Sequence, residues 1–482
     1  MRYAKRLTCR YMTRTIPSTA PAVSRSEERA ILTVTCSAAF LFFNSFGSIG
    51  VALPAIQKQF GNSLSEIQWV TLMGVVTISS LSFCFGRAGE ILGQRRLYKI
   101  GVVLYAAGAG LGAISTSFPE LLLARAVMAV GLAMALPMST AILAASFGAK
   151  RRGQVLGLFA SAIAVGRMTG PTIGGLLLHV GGWPWIFWMN CIIGLAVTAA
   201  VIKIFRGPGE RRREPFDFRG ALALLIGYPA LLLGLTFAAN HGWTSRFVVG
   251  WFAVAGIALA SFFWLELHTT KPLVDVAIFR RRMLAAALLA VALSNMIHYP
   301  IALCAPLYLQ NVLGSSAVAA GLMLAALPLS TALASPLAGR LADRFNASTM
   351  ASIGLLIIVV GIACYSRLKT DSDYRLVLAA LICVGAGIGI FTPANQTVAF
   401  AAVRQEDYGV LAAMLSSFGT AAGTIGTTIA VALMEIDGGQ KLWTQPGAFA
   451  GAQQFAFACL LPIGIVALIV ADKSRREKPS AG

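Results

Sequence analysis

The stretch Gly166-Arg-Met-Thr-Gly-Pro-Thr-Ile-Gly-Gly175 lies inside an otherwise apolar run from residue 155 to residue 178. Its four glycines and Pro171 disfavour a regular helix in water, because glycine is flexible and proline removes a backbone hydrogen bond. Arg167 adds a fixed charge to the same run. Such a segment is tolerable where neighbouring helices pack closely and satisfy the freed backbone, as they do in a membrane bundle.

The glycines of this stretch have a helical spacing. Gly166, Gly170 and Gly174 recur every four residues and therefore share one face of a helix. In a membrane a face of small residues lets a neighbouring backbone approach closely. The stretch predicts a bent, tightly packed transmembrane helix.

The composition of the whole chain is that of a membrane protein. Apolar residues make up 57% of it before its 48 glycines are counted, and only 12% of its residues are charged, against about 25% charged residues in soluble domains. The eight cysteines show no C-x-x-C spacing and lie mostly in apolar runs. They are expected to be reduced packing residues, and neither a metal site nor a cofactor is predicted.

Fourteen segments are long and apolar enough to span a bilayer, which takes about 20 residues. The sequence therefore predicts an all-α membrane protein with fourteen transmembrane helices. The segments are 30–53, 67–85, 97–114, 121–143, 153–177, 184–204, 219–239, 247–266, 284–306, 319–341, 349–366, 375–395, 408–434 and 452–471.

The basic residues indicate the orientation of these segments. An even number of spans puts both termini on one side, and that side holds most of the 39 lysines and arginines, including the runs at 150–152, 211–213 and 280–282. Since basic loops are retained in the cytoplasm, both termini are predicted to be cytoplasmic. The net charge of +20 is explained by this topology, so nucleic-acid binding is not expected.

Residues 1–29 are basic and lack the apolar core of a secretory signal peptide. They are predicted to form a cytosolic tail. Two alternatives stay open for this segment: an organelle transit peptide, and a protein that starts at Met12.

The chain contains an internal repeat. "GRAGEILGQRR" begins at Gly86 and "GRLADRFN" begins at Gly339, 253 positions later, and the same offset carries Gly166 to Gly419. A duplication of this kind predicts two six-helix halves. The expected organisation is a tail (1–29), the first half (30–204), a cytosolic linker (205–218), an inserted helix pair (219–266), a second linker (267–283), the second half (284–471) and a C-terminal tail (472–482).

The motifs resemble those of the major facilitator superfamily, and within it the fourteen-helix drug:proton antiporters. The matching motifs, in chain order, are "GRAGEILGQRR" at 86–96, "LLLARAVMAVGLAMALP" at 121–137, the opening stretch, "GGWPWIFWMNCIIG" at 181–194 and "PFDFRGALAL" at 215–224. The resemblance covers about residues 30–471 and implies two halves around a central site that move by alternating access.

The same resemblance implies a secondary transporter, not an enzyme, in a bacterial inner membrane. Its expected partners are the lipid bilayer, protons and a small-molecule substrate, namely an amphipathic drug, toxin or metabolite. A periplasmic adaptor, in a bacterium with two membranes, and the oligomeric state are left open.

The resemblance implies a conformational latch in each loop motif. A carboxylate there can hold the positive N-terminus of a helix in the opposite half while it pairs with loop arginines. Ile91 and Gln94 depart from the pattern in the first copy, so the second copy is expected to be stronger. The same charges can also act only to fix the topology. The latch residues are Gly86, Glu90, Gly93, Arg95 and Arg96 in the first copy, and Gly339, Asp343 and Arg344 in the second.

The opening stretch is similar to the antiporter motif of the fifth helix in this family. Its bend is expected to seal one half against the other and to favour exchange over symport; close packing alone is the alternative. The motif positions are Gly166, Gly170, Pro171, Gly174 and Gly175.

Polar residues inside the spans are candidates for a substrate or proton pathway. Arg125 and Arg167 cost at least about 2.5–3.5 kcal/mol each near the bilayer centre, and are expected to line one chamber. Arg125 is central to the fourth-helix motif of the resembled family, whereas Arg167 occupies a variable position and can equally be a packed side chain. The other candidates are His298, Asn44, Ser45, Asn295, Tyr299, Asn395 and Gln396.

The proton step departs from the family pattern. Members with cationic cargo carry an acid in the first helix where this chain has Ser45, and no Asp or Glu lies clearly within a predicted span. His298 has an ordinary pKa near physiological pH and is the candidate proton carrier, with polar packing as the alternative.

Two arginines without a buried acid motivate a second hypothesis, a transporter of an anionic metabolite. A transport-derived sensor or a membrane enzyme is a remote alternative, because the chain has no G-x-S-x-G, H-E-x-x-H or Walker pattern.

Overall fold

The computed structural model describes residues 24–476 except 63, 68, 148, 206–216, 270–281, 345 and 440–444. Most of the two predicted tails and of the two predicted linkers lies outside these described residues, as do the basic runs at 211–213 and 280–281. Within the described ranges the chain is helical, and each of the fourteen predicted segments falls in a long helix of its own.

Six helices form the first half and six form the second, with two between them. The first six are α1 (Arg25–Phe60), α2 (Trp69–Leu92), α3 (Gln94–Ala113), α4 (Phe118–Ser146), α5 (Arg152–Gly181) and α6 (Pro184–Ile204). The next two are α7 (Phe218–His241) and α8 (Arg246–His268). The last six are α9 (Arg282–Val312), α10 (Ala319–Arg344), α11 (Ala347–Tyr365), α12 (Tyr374–Ala401), α13 (Tyr408–Gly438) and α14 (Pro446–Arg476).

Twelve helices in the described part of the chain are long and apolar enough to cross a membrane. The two long helices outside that set are α3 and α5. Glycine and polar residues of the opening stretch lower the apolar content of α5, and α3 begins with the loop arginines. The chain is therefore a multi-pass membrane protein with at least these twelve candidate spans.

Local signals explain where the helices begin and end. The Ser24 hydroxyl accepts a hydrogen bond from the backbone N–H of Glu27 and caps α1, which ends at Gly61 with φ +69°. Ser117 and Glu120 form a capping box at the start of α4. Proline occurs inside several helices, and α9 is interrupted at Pro300, where its backbone N–H is missing.

The helices pack around two large apolar cores. One is formed mainly by the first half and also includes residues of the inserted pair and of α9, α12 and α13, whereas the other lies within the second half. In the first half α1 packs against α5, and α4 packs against α2 and α3; in the second, α12 packs against α10 and α11. The halves meet where α5 crosses α10 and where α2 crosses α13. The inserted α7 lies over the second crossing, against both α2 and α13, and α8 packs on α7.

Candidate transport pathway

The second-half latch joins α10 to the N-terminus of α5 in the first half. The Asp343 carboxylate accepts hydrogen bonds from the backbone N–H groups of Gly153 at 2.7 Å and Gln154 at 2.8 Å. These donors have no acceptor within the helix, and the helix dipole adds to their attraction for an anion. Gly339 lets the backbones touch, because a Cβ there would collide with the Gly153 carbonyl.

The first-half latch is its counterpart between α2 and α13. The Glu90 carboxylate accepts a hydrogen bond from the backbone N–H of Val410 at 3.1 Å and an ion-pair hydrogen bond from Arg87 at 2.8 Å. A Cβ on Gly86 would lie 2.9 Å from the Gly409 carbonyl oxygen. Glu90 is thus bound by one backbone N–H and one arginine, whereas Asp343 is bound by two backbone N–H groups.

The loop arginines differ from the expectation. Arg87, which is not among the predicted latch residues, makes the ion pair with Glu90. Arg95 instead lies over the Phe205 ring at 5.6 Å. Arg96 is exposed, as is Arg344 in the second copy. Arg95 and Arg96 follow Gly93, whose φ of +96° turns the chain into α3, so they begin a new helix that leads away from Glu90.

Further contacts lie along the same two crossings. The Ser161 hydroxyl donates to the Ala332 carbonyl at 2.7 Å, and the Ser417 hydroxyl donates to the Ser79 carbonyl at 3.1 Å. The Arg152 guanidinium donates to the Tyr408 hydroxyl at 2.7 Å and so links the N-termini of α5 and α13. All these contacts lie toward the end of the bundle that is predicted to be cytoplasmic.

The glycine face of the opening stretch packs on α1, in the same half. A Cβ on Gly166 would lie 2.5 Å from the Phe40 carbonyl oxygen, and one on Gly170 2.5 Å from that of Asn44. A Cβ on Gly174 would lie 2.5 Å from the Cα of Ser48. The expectation that this motif seals one half against the other is therefore corrected: it seals α5 to α1.

Contact between α5 and the opposite half uses other small residues of the same helix. Gly153, Gly157 and Ser161 recur every four residues and meet Gly339, Ser335 and Ala332 of α10. This spacing is visible in the sequence and could have been read as a second close-packing face. Gly175, the last residue of the antiporter motif, borders open space.

Arg125 lies in the interior of the first half. Its Nε donates to the Val70 carbonyl at 3.0 Å, and its guanidinium lies 6.0 Å from the centre of the Phe46 ring. It lines a small cavity together with Ser45, and Arg167 is not among the lining residues. The expectation that both arginines share one chamber is therefore wrong, because Arg125 extends from α4 toward α1 and α2 inside one half.

Arg167 and His298 lie outside the cavity beside Arg125. The Arg167 side chain is exposed, and its guanidinium lies 4.8 Å from the centre of the Phe43 ring on α1. The half-buried His298 ring lies 5.2 Å from the Tyr299 ring, and its Nδ1 lies 2.7 Å from the Ser294 carbonyl oxygen. Arg167 is thus a fixed charge on α5 in the first half, and His298 is a titratable group on α9 in the second.

The remaining polar candidates lie on α1, α9 and α12. Asn44 donates to the Thr169 hydroxyl at 3.0 Å, and Asn395 donates to the Ala287 carbonyl at 3.1 Å, so both tie neighbouring helices together. Asn295 and Tyr299 lie against Gly419 and Gly423 of α13. Gln396 is half-buried on α12. No group of three His, Cys, Asp or Glu that could hold a metal occurs in the parts of the chain that the structure describes.

Comparison with known proteins gives one family. Residues 35–279 and 283–482 match the sequence profile described as Major Facilitator Superfamily. Multidrug resistance protein Stp of Mycobacterium tuberculosis is 30% identical over 396 residues, which are 81% of this chain and 73% of that protein. Multidrug transporter protein MdtP of Bacillus subtilis is 25% identical over 422 residues, 86% of this chain and 77% of that protein.

A third relative and a solved structure extend the comparison. Riboflavin transporter RibZ of Clostridioides difficile is 26% identical over 401 residues, 82% of this chain and 86% of that protein. The human organic anion transporter MFSD10 has the same fold with a TM-score of 0.67; at 17% identity, the match covers 92% of this chain and 99% of that structure.

Proposed function

Because this chain belongs to the major facilitator superfamily, and is thus a small-molecule transporter rather than an enzyme, we propose that it exports amphipathic organic compounds in exchange for protons. The observation that carries this proposal is the pair of latches. Asp343 and Glu90 each hold the N-terminus of a helix in the other half, at the same end of the bundle.

Alternating access needs two stable arrangements of the halves with a closed gate in each. Few polar contacts hold the crossings of α5 with α10 and of α2 with α13, and each can be broken without unfolding a helix. Glycines at both crossings let the surfaces meet closely and part without interlocked side chains. In this arrangement the proposed cytoplasmic gate is closed.

The proposed topology has fourteen spans, because it adds α3 and α5 to the twelve candidate helices. α5 has 30 residues and α3 has 20, lengths of about 45 Å and about 30 Å at 1.5 Å per residue. Both pack among helices that are apolar enough to span a membrane. With both termini cytoplasmic, the proposed location is a bacterial inner membrane, since the named relatives are bacterial.

The proposed cargo class rests on the names of the relatives, which include multidrug resistance and multidrug transporter proteins and a riboflavin transporter. His298 is the proposed proton carrier, because it is a half-buried titratable group on α9 whose ordinary pKa is near physiological pH. Protonation of the His298 imidazole would add one positive charge to α9.

An anionic metabolite is the second candidate cargo. It is favoured by Arg167, an exposed and fixed positive charge on α5 that forms no ion pair among the described residues. Arg125 no longer contributes to this hypothesis, because it lies in a separate cavity.

Accumulation of dyes in cells with and without the protein tests the proposed function. Lower accumulation of an amphipathic dye in expressing cells, restored by an uncoupler of the proton gradient, is expected. Equal accumulation of cationic, neutral and anionic dyes in both cell types would refute export of this class. A matched control is the Gly170→Leu variant, in which α5 cannot reach α1.

A further inference from the structure

A small cavity beside Arg125 lies apart from the gap between the halves. Its volume is about 10 Å³, enough for about one water-sized sphere. Its walls come from α1, α2, α3 and α4, all of the first half. None of its lining residues is acidic, and the polar ones are Ser45, Tyr105 and Arg125.

Arg125 brings an uncompensated charge to this cavity. The residue is 5% exposed, and an arginine stays protonated in proteins. Of its five N–H groups, Nε donates to the Val70 carbonyl and Nη1 reaches only the thioether of Met128 at 3.9 Å, a weak acceptor. Nη2 lies against Gly74, where a Cβ would be only 3.1 Å away.

Ser45 adds a second donor. It is 2% exposed, and its hydroxyl has no hydrogen-bond partner among the described residues. Ser48, one turn later, shows the usual solution in a membrane helix, since its hydroxyl donates to carbonyls of Asn44 and Gly170. Tyr105 donates its own hydroxyl proton to Asn190 at 2.7 Å. Ser45 and Arg125 therefore supply the donors at this cavity.

We propose that the cavity beside Arg125 binds one small monovalent anion, of the size and charge of chloride. Arg125 supplies charge and N–H donors, and Ser45 supplies an O–H donor. A buried charge normally requires a partner of opposite sign, and the wall of this cavity provides none. Water would accept the same hydrogen bonds but would leave the charge unbalanced, while the volume excludes larger oxyanions such as sulfate.

Such an ion would stabilise the junction of α1, α2 and α4 and would not be cargo, because the cavity is lined by residues of the first half alone. The test uses the purified full-length protein in detergent, with its thermal unfolding midpoint measured at equal ionic strength in sodium chloride, bromide, sulfate and gluconate. The expected result is a saturable rise of the midpoint with chloride and bromide, and none with sulfate or gluconate.

Variants assign this effect to the cavity. Arg125→Met is expected to abolish the halide dependence, and Ser45→Ala to weaken the apparent affinity between about 2- and about 10-fold, the effect of one hydrogen bond. The matched controls are Arg167→Met, which removes an arginine elsewhere, and Ser139→Ala, which removes a buried serine whose hydroxyl donates to the Ala135 carbonyl at 2.8 Å. Both controls are expected to keep the halide dependence.

The same midpoint in chloride and gluconate for the unmodified protein would overturn the proposal and leave water as the occupant. Halide dependence that survives Arg125→Met would overturn it by placing the ion elsewhere. If Arg125→Met does not fold, Ser45→Ala decides: an affinity equal to that of Ser139→Ala contradicts the proposed site.

Discussion

The Asp343 carboxylate of α10 accepts a hydrogen bond from the backbone N–H of Gly153, the second residue of α5, at 2.7 Å across the boundary between the halves. Hydrogen bonds to a charged group contribute about 1.5–3 kcal/mol each. Asp343→Asn removes the charge and leaves one acceptor oxygen. We expect at least about a 10-fold shift toward a conformation in which the predicted cytoplasmic end is open.

Accessibility of a cysteine introduced at Ser335 to a membrane-impermeant reagent added from the cytoplasmic side measures this shift. The labelling rate is expected to rise in Asp343→Asn. Asp371→Asn, which changes an exposed acid beyond the other end of α11, is the control and should label at the original rate. Equal rates in all three proteins would show that Asp343 does not hold a gate.

Gly170→Leu tests the opening stretch. Its side chain would collide with the Asn44 carbonyl of α1, because even a Cβ at this position lies 2.5 Å from that oxygen. We expect loss of export with normal insertion into the membrane. Gly175→Leu is the matched control within the same motif, since a Cβ there borders open space. Full export by Gly170→Leu, measured at equal expression, would contradict the close packing of α1 on α5.

Arg167→Gln separates the two cargo hypotheses. If the charge of Arg167 selects cargo, its removal should weaken transport of anionic compounds and relieve repulsion of cationic ones. Competition between an anionic and a cationic dye in proteoliposomes measures the order of preference. A variant that only expresses less, with the order unchanged, would assign Arg167 a packing role on Phe43.

The topology gives a further prediction. An epitope inserted between Gly207 and Arg213 should be inaccessible from outside intact cells, and a reporter fused after Gly482 should be active only in the cytoplasm. An epitope after Asp371, in the loop between α11 and α12, is the control that should be accessible. External access to the first epitope would contradict fourteen spans with cytoplasmic termini.

The sequence predicted the helices because each span must be about 20 apolar residues long, and this length leaves a clear pattern. The resemblance to the major facilitator superfamily also implied that the carboxylates of the loop motifs, Glu90 and Asp343, hold helix N-termini, and both accept a backbone hydrogen bond there. The partners were harder to predict. Arg87 rather than Arg95 pairs with Glu90 because Gly93 turns the chain between them, and such a turn depends on a single backbone angle.

Side-chain direction limited the predictions inside the bundle. Arg125 and Arg167 are both basic residues in apolar segments, and position along a helix does not reveal which neighbour each one faces. In the structure α4 directs Arg125 into the interior of the first half, whereas Arg167 of α5 lies over the Phe43 ring of α1 and is exposed. Only helix packing distinguishes the two, and that packing depends on contacts far apart in sequence.

Transport into proteoliposomes under an imposed pH gradient tests the central claim most directly. With an acidic interior, a permanently charged amphipathic dye should accumulate inside while protons leave, and a proton ionophore, which dissipates the pH gradient, should abolish the accumulation of dye. His298→Gln should remove the dependence on the gradient yet still exchange dye down its own concentration gradient. Dye uptake by the unmodified protein that is identical with and without the gradient, and unaffected by the ionophore, would contradict proton-driven export.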